Sequence, residues 1–254
     1  MRFKQIFIGS VLFVFIALFI IPASLHSDFY IKQKRHTDAF EVMGRTEPAK
    51  DEVSVMWMSN DRGRIDTGED YSMIIRLDKN IMYGIDHTRM QYTEMPFGSL
   101  DDIVSHSLAQ SDLSEEEQAQ AQKFMKGFMG MMKIEAEVTE TPEKKNIKGW
   151  DCRKYIMKTK MMGMGGTSEI WATEQIKINY DLYRSLGAAF LAKQPGAEKL
   201  FEEMKKIKGI PVMTISTSSA MGAEVKSTEE LIEAQEKGAP AGIYEIPEGY
   251  KKTK

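Results

Sequence analysis

The sequence predicts an α+β protein built on a curved antiparallel β-sheet with helices packed on its concave face. Three observations predict it. Short runs rich in β-branched and aromatic residues recur along the chain, separated by Asp, Asn, Gly and Lys. Blocks of apolar residues spaced at helical period interrupt them. Neither a fixed-period repeat nor a linker long enough to divide the chain is visible. Sheets of this kind curl, and a curled sheet plugged by helices leaves an apolar cavity.

The N-terminal residues stand apart. Arg2 and Lys4 precede an apolar run over residues 6–21, broken by Gly9 and Ser10 and followed by Pro22, Ala23, Ser24 and Ser27. A charged region, an apolar region and small residues in that order mark a signal peptide. Sixteen helical residues reach roughly 24 Å, short of a bilayer core of about 30 Å. Cleavage near Ala23 or Ser27 is therefore expected, with an uncleaved anchor over residues 1–27 as the alternative. Residues 28–254 then form one domain, periplasmic or otherwise exported, that meets a membrane only through the N-terminal segment or while delivering a ligand. Without residues 1–27 there remain 32 basic against 37 acidic side chains, so no basic field for nucleic acid exists. Lys32, Lys34 and Arg35, like Lys205, Lys206 and Lys208, have acids nearby in sequence and read as solvated faces.

Strands are predicted over 53–59 (VSVMWMS), 72–78 (SMIIRLD), 80–86 (NIMYGID) and 88–95 (TRMQYTEM), forming a meander. Met73, Ile75 and Leu77 share one face of their strand, as do Ile81, Tyr83 and Ile85 of the next. Two helices follow, each opened by a capping box: Ser99 with Asp102, then Ser114 with Glu117. The second carries a stripe of Phe124, Met125, Phe128, Met129 and Met132. Strands resume at 133–141, where Ile134, Ala136 and Val138 alternate with Glu135, Glu137 and Thr139, and a glycine-rich stretch joins two further strands into a hairpin. Gly163, Gly165 and Gly166 are expected to supply its bend. Beyond Asn179 the pattern is helical, first with Leu182, Leu186, Ala189 and Phe190, then with Leu200, Phe201, Met204 and Ile207, ended by Gly209 and Pro211. A last β unit at 211–217 and 220–227 leads into a helix predicted from Ser227 and Glu230.

Signatures of catalysis are absent: no G-x-S-x-G elbow, P-loop, H-E-x-x-H or C-x-x-C occurs. His26, His36, His87 and His106 lack metal-ligand spacing and read as satisfied or exposed side chains. Cys152, the single cysteine, excludes an intrachain disulfide and reads as a small apolar core residue. The methionines leave three readings open. Eight of the 19 fall between Met125 and Met164. They can fill a core, line a surface that accepts varied apolar shapes, or place Met157, Met161, Met162 and Met164 around copper(I), because thioethers are soft ligands.

The stretch NIKGWDCRKYIM…TSEIWAT, with IIRLDKNIMYGIDHTRMQYTEM before it and GIPVMTIST…YEIPEGYKK after it, resembles the family named as domain of unknown function 4412. Lys148, Gly149, Asp151, Cys152, Lys154, Tyr155, Glu169, Ile170, Trp171 and Pro247, Glu248, Gly249, Tyr250 carry the resemblance. That family is similar to the periplasmic carriers of lipoproteins. The resemblance implies a lipoprotein-carrier-like half-barrel with helices at its mouth and a concave surface able to hold acyl chains, and it implies no enzyme, cofactor or catalytic residue.

The expected function is accordingly non-enzymatic binding of a lipid or other apolar ligand. Trp57, Tyr83, Tyr92, Met125, Phe128, Met129, Met132, Met157 and Trp171 are the expected lining, as large apolar residues on strands or on the Phe/Met helix. Copper(I) handling by the methionine cluster is one alternative. Another is a structural envelope module that binds a protein through a free β edge or the C-terminal segment.

Overall fold

The computed structural model describes residues 28–42, 44–96, 114–131, 135–161, 164–176, 197–220 and 223–253. The expected signal segment, the helix opened by Ser99 and the block at 182–190 lie outside the described residues. Strands β1 (Asp28–Thr37), β4 (Lys50–Met58), β5 (Arg62–Thr67), β6 (Tyr71–Arg76), β7 (Ile81–Asp86) and β8 (Gln91–Pro96) make one half of a sheet. The other half is β9 (Glu135–Ile147), β10 (Trp150–Met161), β11 (Met164–Thr173), β12 (Ile210–Ala220) and β13 (Ala223–Lys237). With β14 (Lys251–Lys252) they form a twelve-stranded sheet in the order β14-β8-β7-β6-β5-β4-β1-β13-β12-β11-β10-β9, large, curved and not closed into a barrel. A separate ribbon pairs β2 (Phe40–Val42) with β3 (Arg45–Glu47). Among the described residues every pairing is antiparallel except that of β14 with β8.

Three register shifts bend the sheet, beside Lys32 on β1, between Arg153 and Tyr155 on β10, and beside Trp171 on β11. A bulge adds a residue to one strand and sharpens its twist. The outcome is visible in the main core cluster, which unites Phe29 and Ile31 of β1, Met58 of β4 and Ile75 of β6 with Cys152, Trp171, Ile210, Val212 and Leu231 from the opposite half. The β9–β10 turn reaches back in the same way, its Lys148 Nζ donating to Glu230 on β13 at 2.8 Å. That turn is tight because Lys148 and Gly149 both adopt positive φ, the conformation that matches a hairpin's right-handed twist.

Local alternation places most strands as predicted. Ala136 and Val138 are buried while Glu135, Glu137 and Thr139 are exposed. The capping box also forms: helix α1 (Glu115–Met131) opens with Ser114 N–H donating to Glu117 at 2.9 Å and Glu117 N–H donating to Ser114 Oγ at 3.4 Å. Helix α2 (Ala197–Met204) lies along β9, where Glu203 accepts the Val138 N–H at 2.6 Å, and Ile207 just beyond it is buried with Val138, Tyr155, Ile170 and Ala172. No helix among the described residues is long and apolar enough to cross a membrane.

Two expectations are corrected. The helix predicted from Ser227 is instead the second half of β13, bonded to β1 from Ser227↔Thr37 through Lys237↔Asp28. Helix propensities differ by under about 1 kcal/mol per residue, less than is gained by a strand paired on both sides that buries Leu231 at 1 % exposure. Gly165 and Gly166 do not make the bend of their hairpin. They sit in β11 opposite Lys160 and Thr159, at ordinary strand φ, and Gly163 lies outside the described residues. Strand β1, with its mixed KQKR pattern, is not among the predicted strands.

Gly209 has φ +86°, and a Cβ there would overlap the Thr173 carbonyl. Replacement by alanine is expected to cost about 3 kcal/mol or more in chemical denaturation, whereas Gly68→Ala, with positive φ but open space, should cost about 1 kcal/mol.

Candidate functional site

The half-sheet β4–β8 has two unlike faces. On one, Tyr30, Trp57, Ile74, Ile85 and Tyr244 form a buried cluster with Val55, Tyr83, Tyr92 and Tyr250 at its margin. Trp57, Tyr83 and Tyr92 are thus brought together, with the Tyr30 and Trp57 rings 4.8 Å apart and those of Tyr83 and Tyr92 6.1 Å apart. What covers them is the chain's own C-terminal strap, residues 238–253. Asp28 holds it by accepting the Ala239 N–H at 3.0 Å and the Tyr244 hydroxyl at 3.2 Å. Arg64 donates to the Ile243 carbonyl at 3.2 Å, and Arg76, itself clamped by Asp78 at 2.6 and 2.8 Å, donates to Glu245 at 2.5 Å. Lys251 N–H and Thr253 N–H then donate to the Met90 and Tyr92 carbonyls, so the strap ends as an added strand.

Beneath the strap runs a polar chain. Ser72, 5 % exposed, donates to Asp66 at 2.5 Å and receives Arg64 at 3.0 Å, and its oxygen is 2.6 Å from His87 Nε2. Asp66 is ion-paired to Arg64 at 2.6 Å and can only accept, so it takes the one Ser72 proton. His87 must therefore donate from Nε2, leaving Nδ1 to accept from the Tyr250 hydroxyl at 2.7 Å. A serine beside a histidine suggests a nucleophile. Here the serine proton and both lone pairs are spoken for, and the arrangement locks the strap in place.

The other face is graded, covered over its innermost row and open beyond it. Residues directly opposite one another form three rows across the pleat. The first runs Phe29, Met58, Gly63, Ile75, Met82, Met95; the second Ile31, Met56, Ile65, Met73, Gly84, Thr93; the third Gln33, Ser54, Thr67, Tyr71, Asp86, Gln91. Polarity rises from row to row. A groove of about 430 Å³ lies over the second and third rows, lined by Ile65, Thr67, Tyr71, Met73, Gly84 and Asp86, among others. Gly84 opens it, since a Cβ there would press on Thr93 Oγ1 at 3.0 Å. The five methionines of this face, Met56, Met58, Met73, Met82 and Met95, are not in the predicted lining. Their signal is period-two spacing, as in Met56 and Met58, which a count of methionines per window does not register.

The remaining predicted residues are placed elsewhere. Trp171 belongs to the main core cluster, with Lys154 and Lys145 above its ring at 5.7 and 5.9 Å, and Met157 packs beside Tyr155. Met125, Phe128 and Met129 lie on α1, where their side chains, like Met132, are outside the described residues. Phe124 of the same stripe is 72 % exposed. Of the alternative copper ligands, Met161 and Met164 close the β10–β11 ladder, Met157 lies four residues back, about 13 Å along the strand, and Met162 is outside the described residues. Among the described residues no three His, Cys, Asp or Glu side chains gather to hold a metal. Cys152 is 1 % exposed, and burial pushes its thiol upward, which makes it a core residue.

These features define an open curved sheet with one sealed aromatic face and one graded methionine face. The chain belongs to the family described as domain of unknown function (DUF4412), whose profile matches residues 112–250. No curated protein matches it. Among solved structures, the one titled "Structure of PNGF-II in C2 space group" is 12% identical with a TM-score of 0.33. It covers 88% of this chain, which spans only 30% of that one. "Crystal structure of MucB in complex with MucA(peri)" is 6% identical over 84% of this chain and 94% of that chain, with a TM-score of 0.13. Similarities this low carry no argument about function.

Burial and, after it, the Asp28 carboxylate push the Tyr244 phenol above the ordinary tyrosine range. Above about pH 10 the unfolded chain loses that proton while the folded chain keeps it, so stability falls as pH rises. Thermal melts between pH 8 and 11 are expected to show a shallower decline for Tyr244→Phe than for the wild type.

Proposed function

We propose that the protein is a non-enzymatic binder of a lipid or similar apolar ligand, held along the methionine face of β4–β8. One observation carries this reading: the groove over Ile65, Met73 and Gly84 continues into rows of methionine that belong to the curled side of the sheet. Methionine is flexible and polarizable, so such a surface moulds to varied apolar shapes. A volume of about 430 Å³ is toward the small end of ligand sites and suits one chain better than several. Each buried CH₂ contributes about 0.8 kcal/mol, so a twelve-carbon tail has ample driving force even when partly covered. The helical segments serve in this reading as covers for the curled side, which is consistent with the bare Phe124 of α1. The setting is the cell envelope, as residues 6–21 suggest.

Native mass spectrometry of detergent-free protein is expected to reveal a bound apolar guest or uptake of one added fatty acid per chain. Met73→Gln should weaken dodecanoate binding about tenfold, a change of about 1.4 kcal/mol. Protein that carries no guest and ignores added fatty acids overturns the reading.

A further inference from the structure

Resting on that reading, we infer that the groove selects amphiphiles with an anionic headgroup, held by Arg89 and Lys251 at its polar end. The three rows make the groove directional: a tail directed toward Met73 and Met82 leaves its head on the row of Thr67, Tyr71, Asp86 and Gln91. The parallel pairing of β14 extends that last row by one residue, placing Lys251 beside Gln91. Arg89 lines the same end from the β7–β8 turn.

Charge at this end is unevenly satisfied. The row's single acid, Asp86, is engaged within its own turn, accepting the Thr88 hydroxyl at 2.6 Å and the Arg89 N–H at 3.0 Å. These bonds draw its carboxyl below the usual carboxylate range. The Arg89 guanidinium stands 3.7 Å from Asp86, beyond hydrogen-bond reach, and its side chain is 76% exposed. Lys251 is exposed and makes no ion pair among the described residues. The neighbouring cations differ: Lys252 is paired to Glu94 at 3.0 Å and Arg64 to Asp66 at 2.6 Å. Arg89, which meets its one acid only at 3.7 Å, and Lys251, with no ion pair among the described residues, stand at the wet end of an otherwise apolar groove and match a carboxylate or phosphate head. A planar guanidinium can engage either through two parallel N–H bonds. Neutral donors on Tyr71 and Gln91 complete the set.

Calorimetric titration with dodecanoate, dodecyl phosphate and 1-dodecanol tests this. The wild type should bind one or both anions about tenfold or more tightly than the alcohol, with the gap narrowing at high salt. The tighter of the two anions identifies the head as carboxylate or phosphate. The double variant Arg89→Ala, Lys251→Ala alters two exposed side chains, and unchanged thermal unfolding would verify its fold. It should bind all three compounds within about twofold of one another. Equal wild-type affinity for the anions and the alcohol, or a preference that survives in the double variant, overturns the headgroup assignment and leaves apolar binding standing. Failure of all three to bind overturns both.

Discussion

The pairing of β1 with β13 joins the two halves of the sheet. β1 lies between β4 on one edge and β13 on the other, with the ladder running from Asp28↔Lys237 to Thr37↔Ser227. Apart from β14, each half is otherwise a meander of neighbouring antiparallel strands, with α2 following β11 and preceding β12 in the chain. Phe29 and Ile31 supply one side of the core that both halves share. Polar bonds reinforce the seam, with Gln33 and Arg35 both donating to Glu229 at 3.1 Å or less. The register shift beside Lys32 sharpens the twist at this junction, as those on β10 and β11 do within the second half.

Both faces of β4–β8 depend on the same alternation. Because successive side chains point to opposite sides, a strand such as YSMIIR can bury Ile74 on one face and Ile75 on the other. A strand apolar on both faces needs two covers. The strap supplies one, fixed by its hydrogen bonds to Asp28 and from Arg64 and by the Arg76–Glu245 ion pair. The opposite half of the sheet supplies part of the other, over Phe29, Met58 and Ile75, and stops short of the groove. The free edges are protected by other means. Glu203 occupies the Val138 N–H on β9, Pro142 interrupts the same edge, and β14 blocks the start of β8.

Much of this was legible in the sequence because it is local. Period-two patterns gave β4, β6, β7, β8 and the first part of β9, and the Ser114 and Glu117 spacing gave the start of α1. What sequence could not show depends on partners far along the chain. STEELIEAQEK favours a helix by composition, yet β1 and β12 make it a strand. DFYIKQKRHT has weak alternation and is a strand because β4 and β13 flank it. Trp57, Tyr83 and Tyr92 are expected in one lining with six residues from later in the chain, and local pattern does not show that residues 238–250 lie over them. Met56, Met73 and Met82 are scattered along the chain and converge only through strand pairing.

The seam also sets an order of events for a chain that emerges from its N-terminus. Until residue 237 arrives, β1 can pair on one side only, so its second edge stays bare while some two hundred residues follow. Contacts this distant in sequence form slowly, and a half-built sheet with an open edge is prone to join another chain. The first strand thus gains its second partner only once the last long strand has been made.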